Sequence, residues 1–249
     1  MICRTSIAAL LLLLSTWSFA GGKNTASAKA ATVVDEGSFG IFQNGVRVAT
    51  ETFTIRQFPD SNTTTSQLRS EPGAGERLEQ SSELTLLPDG NFSRYEWKQT
   101  APAHNSALVE PGDQVLILHS SGGDGKPIAD QTFFLSRQTF ILDDYFFSTR
   151  ELLMWRYLIS SCKPRTGGDG CDLIRQRFPV LVPRRRSSSQ VFIEFKGYDD
   201  TPLNGRPQHL RHFVMQTEGP DWHLWLDANH KLLRISIPDT GTEVLRQDK

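Results

Sequence analysis

Asp143 and Asp144 are the side chains in this sequence best placed to do chemistry. Adjacent carboxylates that close an apolar run, here TFIL, can act in acid–base catalysis when burial raises the pKa of one of them. A histidine such as His119 or His212 would be the second member of such a hydrolytic site. The pair also stands just ahead of a helix, where negative charge favours the positive end of the helix dipole, and that structural role is the preferred reading. His209 and His212 lie on a strand-like segment whose alternation sends their rings to opposite faces, so they are not expected to share a metal. Ser121-Gly122-Gly123-Asp124-Gly125 lacks the lysine–hydroxyl ending of a phosphate-binding loop and reads as a plain connection. The patterns G-x-S-x-G and H-E-x-x-H do not occur. The sequence therefore predicts no catalytic residue, no metal site and no cofactor.

Cys162 and Cys171 carry the other legible chemistry. They flank KPRTGGDG, a loop rich in glycine and proline, and an even thiol pair in an exported chain predicts a disulfide. Two thiolates without a nearby histidine fall short of a zinc shell, and a redox pair would more typically use C-x-x-C spacing.

Export itself is predicted by the opening MICRTSIAALLLLLSTWSFA. Arg4 precedes the apolar run Ile7 to Leu14, and Ser18-Phe19-Ala20 supplies the small residues of a cleavage site. The run is too short for a bilayer span, which takes about 20 residues. Residues 1–20 are thus read as a signal peptide, 21–35 as a flexible leader and 36–249 as one domain, working in the periplasm or outside the cell. With 38% hydrophobic and 22% charged residues the chain is ordinary for a globular protein, and its net charge of -1 has no broad field to attract nucleic acid. Arg184-Arg185-Arg186, between Pro183 and three serines, reads as a solvated turn, with anionic lipid or glycan contact as the minor alternative. No further apolar run reaches spanning length.

The elements that must position these groups are mostly strands. Asn44-Gly45 is the strongest hairpin signal, since both residues tolerate the positive φ of a type I′ turn. Pairing across it sets Gln43 opposite Val46, Ile41 opposite Val48 and Phe39 opposite Thr50, with Phe42, Arg47, Ser38 and Glu51 on the other face. The apolar parity then switches to Phe53 and Ile55, which predicts a bulge or bend between Ala49 and Phe53. Pro88-Asp89-Gly90 marks a second hairpin, and strand-like runs follow at 115–119, 131–142, 173–182, 190–196 and 208–216. A final hairpin about Ala228-Asn229 sets Leu224 against Leu233, Trp222 against Ile235 and Trp225 against Leu232.

One helix stands out. Ser148-Thr149-Arg150-Glu151 has the S-x-x-E form of a capping box, and the LLMWRYLI that follows is apolar on nearly every side. Such a helix must be enclosed by protein. The predicted fold is mainly β: a single curved antiparallel sheet, a half-barrel or open barrel, wrapped around one buried α-helix.

Three stretches together resemble a known layout: EGSFGIFQNGVRVATETFTIR, FILDDYFFSTRELLMWRYL and WHLWLDANHKLLRISIP. The chain resembles uncharacterised bacterial periplasmic proteins of β half-barrel type, domains of unknown function. Their architecture is similar to that of the lipoprotein carriers LolA and LolB, which implies a curved sheet with apolar side chains in its hollow. Carriers of that kind have several lid helices where this sequence shows one. The resemblance implies no catalytic residues.

Two classes of function follow. In the first, the hollow, lined by Phe140, Phe146, Phe147, Trp155 and Trp225, binds a lipid, an acyl chain or another apolar ligand without catalysis. The competing reading makes these residues core, and the first class requires a cavity of at least a few hundred Å³. In the second, a structural role, the domain contacts an envelope protein through a sheet edge or through Trp225. A hydrolase built on Asp143 or Asp144 ranks below both.

Overall fold

The structure is a computed structural model and describes residues 31–165, 168–171, 173–203 and 205–247. The proposed signal peptide and most of the leader lie outside these residues. The first half of the chain forms β1 (Thr32–Gln43), β2 (Val46–Phe58), β3 (Ser61–Ser70), β4 (Glu79–Leu86), β5 (Phe92–Ala101), β6 (Asn105–Pro111), β7 (Leu116–Ser121), β8 (Pro127–Phe133) and the short β9 (Phe140–Ile141). Helix α1 (Ser148–Ser161) follows, then the small pair β10 (Cys162–Arg165) and β11 (Gly168–Cys171). The chain ends in β12 (Gln176–Val182), β13 (Ser187–Leu203), β14 (Arg206–Gln216), β15 (Trp222–Leu226), β16 (Leu232–Ile237) and β17 (Thr242–Arg246).

Fifteen of these strands make one sheet in the order β8-β7-β6-β5-β4-β3-β2-β1-β17-β16-β15-β14-β13-β12-β9. Two meanders meet where β1 pairs with β17, so the two ends of the described chain form the middle of the sheet. All pairings in this sheet are antiparallel except β9 with β12. The ends of the sheet approach one another through side chains. Arg186, in the left-handed region after the turn Pro183–Arg185, donates to the Ala129 carbonyl at 2.9 Å and to Gln131 Oε1 at 3.2 Å on β8. The predicted class stands: one large curved antiparallel sheet and one helix, with Leu153, Met154 and Tyr157 of α1 fully buried among inward residues such as Phe39, Val109, Ile193 and Phe213.

Several local expectations change. β1 already includes Thr32 to Asp35, residues expected in the leader, and Asp35 is buried there. Gln43 does face Val46, but the bulge comes early: Phe42 pairs with Arg47 and Ile41 with Ala49, leaving Val48 unpaired. From Ile41 back to Asp35 the register is therefore shifted by one, so Phe39 meets Glu51 and Glu51 points into the barrel. The last hairpin shifts likewise, with Leu224 opposite Ile235 and Trp225 opposite Arg234, and a bulge between Trp225 and Leu226. The run at 131–142 is split, since residues 134–139 leave the sheet between β8 and β9. Both expected turns are present, with Asn44, Gly45 and Gly90 at positive φ.

The helix is enclosed less completely than its sequence implies. Ten of its residues are buried, but Trp155 is only partly covered and Ile159 is 86% exposed. Its last turn ends where Cys162 turns extended, two residues before Pro164. The two cysteines face each other across β10 and β11 with their sulfurs 2.06 Å apart, the separation of a disulfide.

Candidate ligand site

The inward row of β2 delivers Ala49, Glu51, Phe53 and Ile55 beneath the N-terminus of α1. Glu51 is fully buried, and its carboxyl accepts the backbone N–H of Phe147 at 2.6 Å and that of Ser148 at 3.3 Å. These are donors that a helix start leaves without intrahelical partners. The expected capping box is absent: Ser148 Oγ instead meets Ser66 Oγ at 2.8 Å, and no side chain of the helix caps it. Burial pushes the Glu51 carboxyl up to about 7, against the pull of its hydrogen bonds.

Glu151, the other box residue, is committed elsewhere. It accepts the Leu232 N–H at 3.1 Å and pairs with Arg246 at 3.2 Å. Arg246 also holds Asp35 at 2.8 Å, and Lys231 reaches Asp35 at 2.8 Å. Burial raises the Glu151 carboxyl well above the usual range, whereas for Asp35 the hydrogen bonds from Arg246 and Lys231 outweigh burial and bring it below. This cluster ties β1, α1 and β17 together.

Asp143 is wholly buried and fully engaged. Tyr95 donates its hydroxyl to it at 2.6 Å, Arg184 Nε donates at 2.9 Å, and the Tyr145 N–H caps its other oxygen at 2.9 Å. Burial, then the negative charge of Asp143, keeps the Tyr95 hydroxyl protonated far above its ordinary value. Asp144 pairs with Arg185 at 2.8 Å. Arg184 is therefore no part of a solvated turn; it lies over Trp97 at 4.3 Å and Tyr145 at 4.5 Å. The histidines proposed as catalytic partners are elsewhere, His119 on Asp130 and His212 on Asp199, each at 2.9 Å. The Asp–His constellation is not assembled. His209 pairs with Asp200 rather than meeting His212, and no group of three metal-ligating side chains occurs among the described residues.

A cavity of about 690 Å³ opens at the barrel mouth above these groups. Ile41, Ala49, Leu68, Val180, Met215 and Trp222 supply much of its apolar wall, and Phe147 and Arg150 form the part contributed by the start of α1. The five residues proposed to line a single hollow are not brought together. Phe147 borders this cavity; Trp155 borders a second recess of about 470 Å³ beside Leu158, Lys231 and His230. Phe140 and Phe146 are core, 2% and 0% exposed. Trp225 is on the outer face, stacked on His212 at 4.8 Å and packed with Leu203 and Leu210, because the alternation of β15 turns it away from its inward neighbours Leu224 and Leu226.

Arg150 carries no signal in the sequence beyond its place inside the S-x-x-E stretch, ahead of the apolar run. It is 2% exposed. Its Nη1 donates to the Asp143 and Phe146 carbonyls, and its guanidinium lies 4.7 Å from the Trp222 ring centroid and 5.4 Å from that of Phe147. Trp222 was legible only as a core residue of the last hairpin.

Among the described residues no helix is long and apolar enough to cross a membrane. No family model matches the chain. No curated protein matches it either. A solved structure does: the crystal structure of a β-barrel-like protein of a domain of unknown function (DUF1849) from Brucella abortus, at 7% identity and a TM-score of 0.50, covering 87% of this chain and 98% of that one. At that identity the likeness concerns shape alone, and the shape held in common is a β-barrel-like domain of unknown function.

Proposed function

We propose that this protein is a non-catalytic binding protein of the periplasm or cell exterior that holds an apolar ligand, such as a lipid or acyl chain, in the mouth of its barrel. One observation carries the reading: a cavity of about 690 Å³ walled largely by aliphatic and aromatic side chains. The sequence layout resembles β half-barrel proteins whose architecture is similar to that of the carriers LolA and LolB, which points the same way. Work outside the cytoplasm is supported by the apolar opening of the chain and by a cysteine pair at bonding distance. The test is titration of the protein with the neutral fluorophore N-phenyl-1-naphthylamine. Saturable binding is expected, and Ala49→Phe, which places a ring in the cavity, is expected to abolish it while the melting transition persists. A wild-type protein that leaves the probe dark would end this reading.

A second reading, contact with an envelope protein, now rests on the edge strand β8 rather than on Trp225. Ile128 on that edge is 39% exposed and Phe134 just beyond it 91%. Loss of a cross-linked complex from native extracts on Phe134→Glu would support it.

A further inference from the structure

Within the proposed binding function, we propose that the ligand is an amphiphile with an anionic head, a carboxylate or phosphate, received by Arg150 at the wall of the mouth cavity.

Of the charged residues that line the cavity, Glu76, Arg185 and Glu218 are exposed, Asp144 is half-buried, and Arg150 is the buried one. Arg184 is matched by Asp143 and Arg185 by Asp144. Arg150 forms no ion pair among the described residues, and its buried Nε has no acceptor. Its partners are two backbone carbonyls and the faces of Trp222 and Phe147, which are neutral groups. The carboxyls of Asp144, Asp143 and Glu51 act on Arg150 without forming an ion pair: the first two are held by Arg185 and Arg184, and Glu51 is already the acceptor for two backbone N–H groups at the helix start.

A buried guanidinium without a counter-ion is costly, and an ion pair with a bound anion offsets that cost. Burial lowers the Arg150 pKa to about 10, so the group is still a cation at neutral pH. Its planar fork suits a two-oxygen acceptor, and the flanking rings hold it in place while leaving its charge unneutralised. The aliphatic wall of the same cavity, including Ile41, Leu68 and Val180, takes the chain attached to such a head.

The experiment displaces N-phenyl-1-naphthylamine from the wild-type protein at pH 8 with four ten-carbon ligands: decanoate, decyl phosphate, 1-decanol and decyltrimethylammonium. At least one anion is expected to displace the probe at a concentration tenfold or more below that needed for the alcohol, with the cation weakest. Preference for decanoate over decyl phosphate, or the reverse, names the head. Equal displacement by the alcohol, or by the cation, overturns the anionic-head proposal and leaves the apolar cavity intact. Failure of the probe and of all four ligands to bind overturns both. Arg150→Gln is expected to bring the anions and the alcohol within twofold of each other. Because that variant also loses a donor to the helix start, the wild-type series decides the question should it not fold.

Discussion

Glu51 on β2 and Phe147 at the start of α1, far apart in sequence, meet at 2.6 Å as carboxyl and backbone N–H. A strand caps the helix, and burial lifts the carboxyl from 4.5 to about 7. Between these two values the unfolded chain has released this proton and the folded chain keeps it. Stability from this group therefore falls as pH rises across that window, by roughly 3 kcal/mol in all, at ~1.4 kcal/mol per pKa unit. Glu51→Gln should flatten that part of the curve. Urea midpoints of both proteins from pH 4 to 8 provide the check; parallel curves would refute the assignment.

Arg246 sits between the buried carboxyls of Asp35 and Glu151. Arg246→Met removes the shared cation, leaves Glu151 in a dry site without one and Asp35 with Lys231 alone, so a loss of about 3–5 kcal/mol is expected. Equilibrium denaturation in guanidinium measures it, and a change below about 1 kcal/mol would count against the network as described.

Asp143 offers an internal comparison. Arg184→Met strands a fully buried carboxylate and should be the more damaging change, by about 3–5 kcal/mol. Tyr95→Phe removes one donor from the same carboxylate and should cost about 1–3 kcal/mol. The order of the two, read from thermal or chemical unfolding, tests whether the pair Asp143–Arg184 is the stronger contact.

The disulfide closes a short loop after α1, with a sequence separation of 9. Chain entropy for such a loop gives roughly 2–3 kcal/mol, so the double variant Cys162→Ser, Cys171→Ser should unfold correspondingly earlier. Reduction of the native protein should lower its melting temperature in the same direction, which differential scanning calorimetry with and without reductant would reveal.

Sequence alone determined what depends on neighbours along the chain. Asn44-Gly45 and Pro88-Asp89-Gly90 announced their turns, LLMWRYLI its helix, and Cys162 with Cys171 their pairing, because each signal is a local preference of backbone or spacing. What failed was parity. One unpaired residue, Val48, turns Glu51 inward, and the bulge between Trp225 and Leu226 brings Leu232 inward in place of Leu233, since the alternation of a strand amplifies a single-residue slip into a change of face. Tertiary structure alone decided the cap on α1, the pairing of Asp35 with Arg246 and the neutral surroundings of Arg150. The first two join residues 96 and 211 positions apart, and the free energies of all three come from exclusion of water, which no local pattern of side chains encodes.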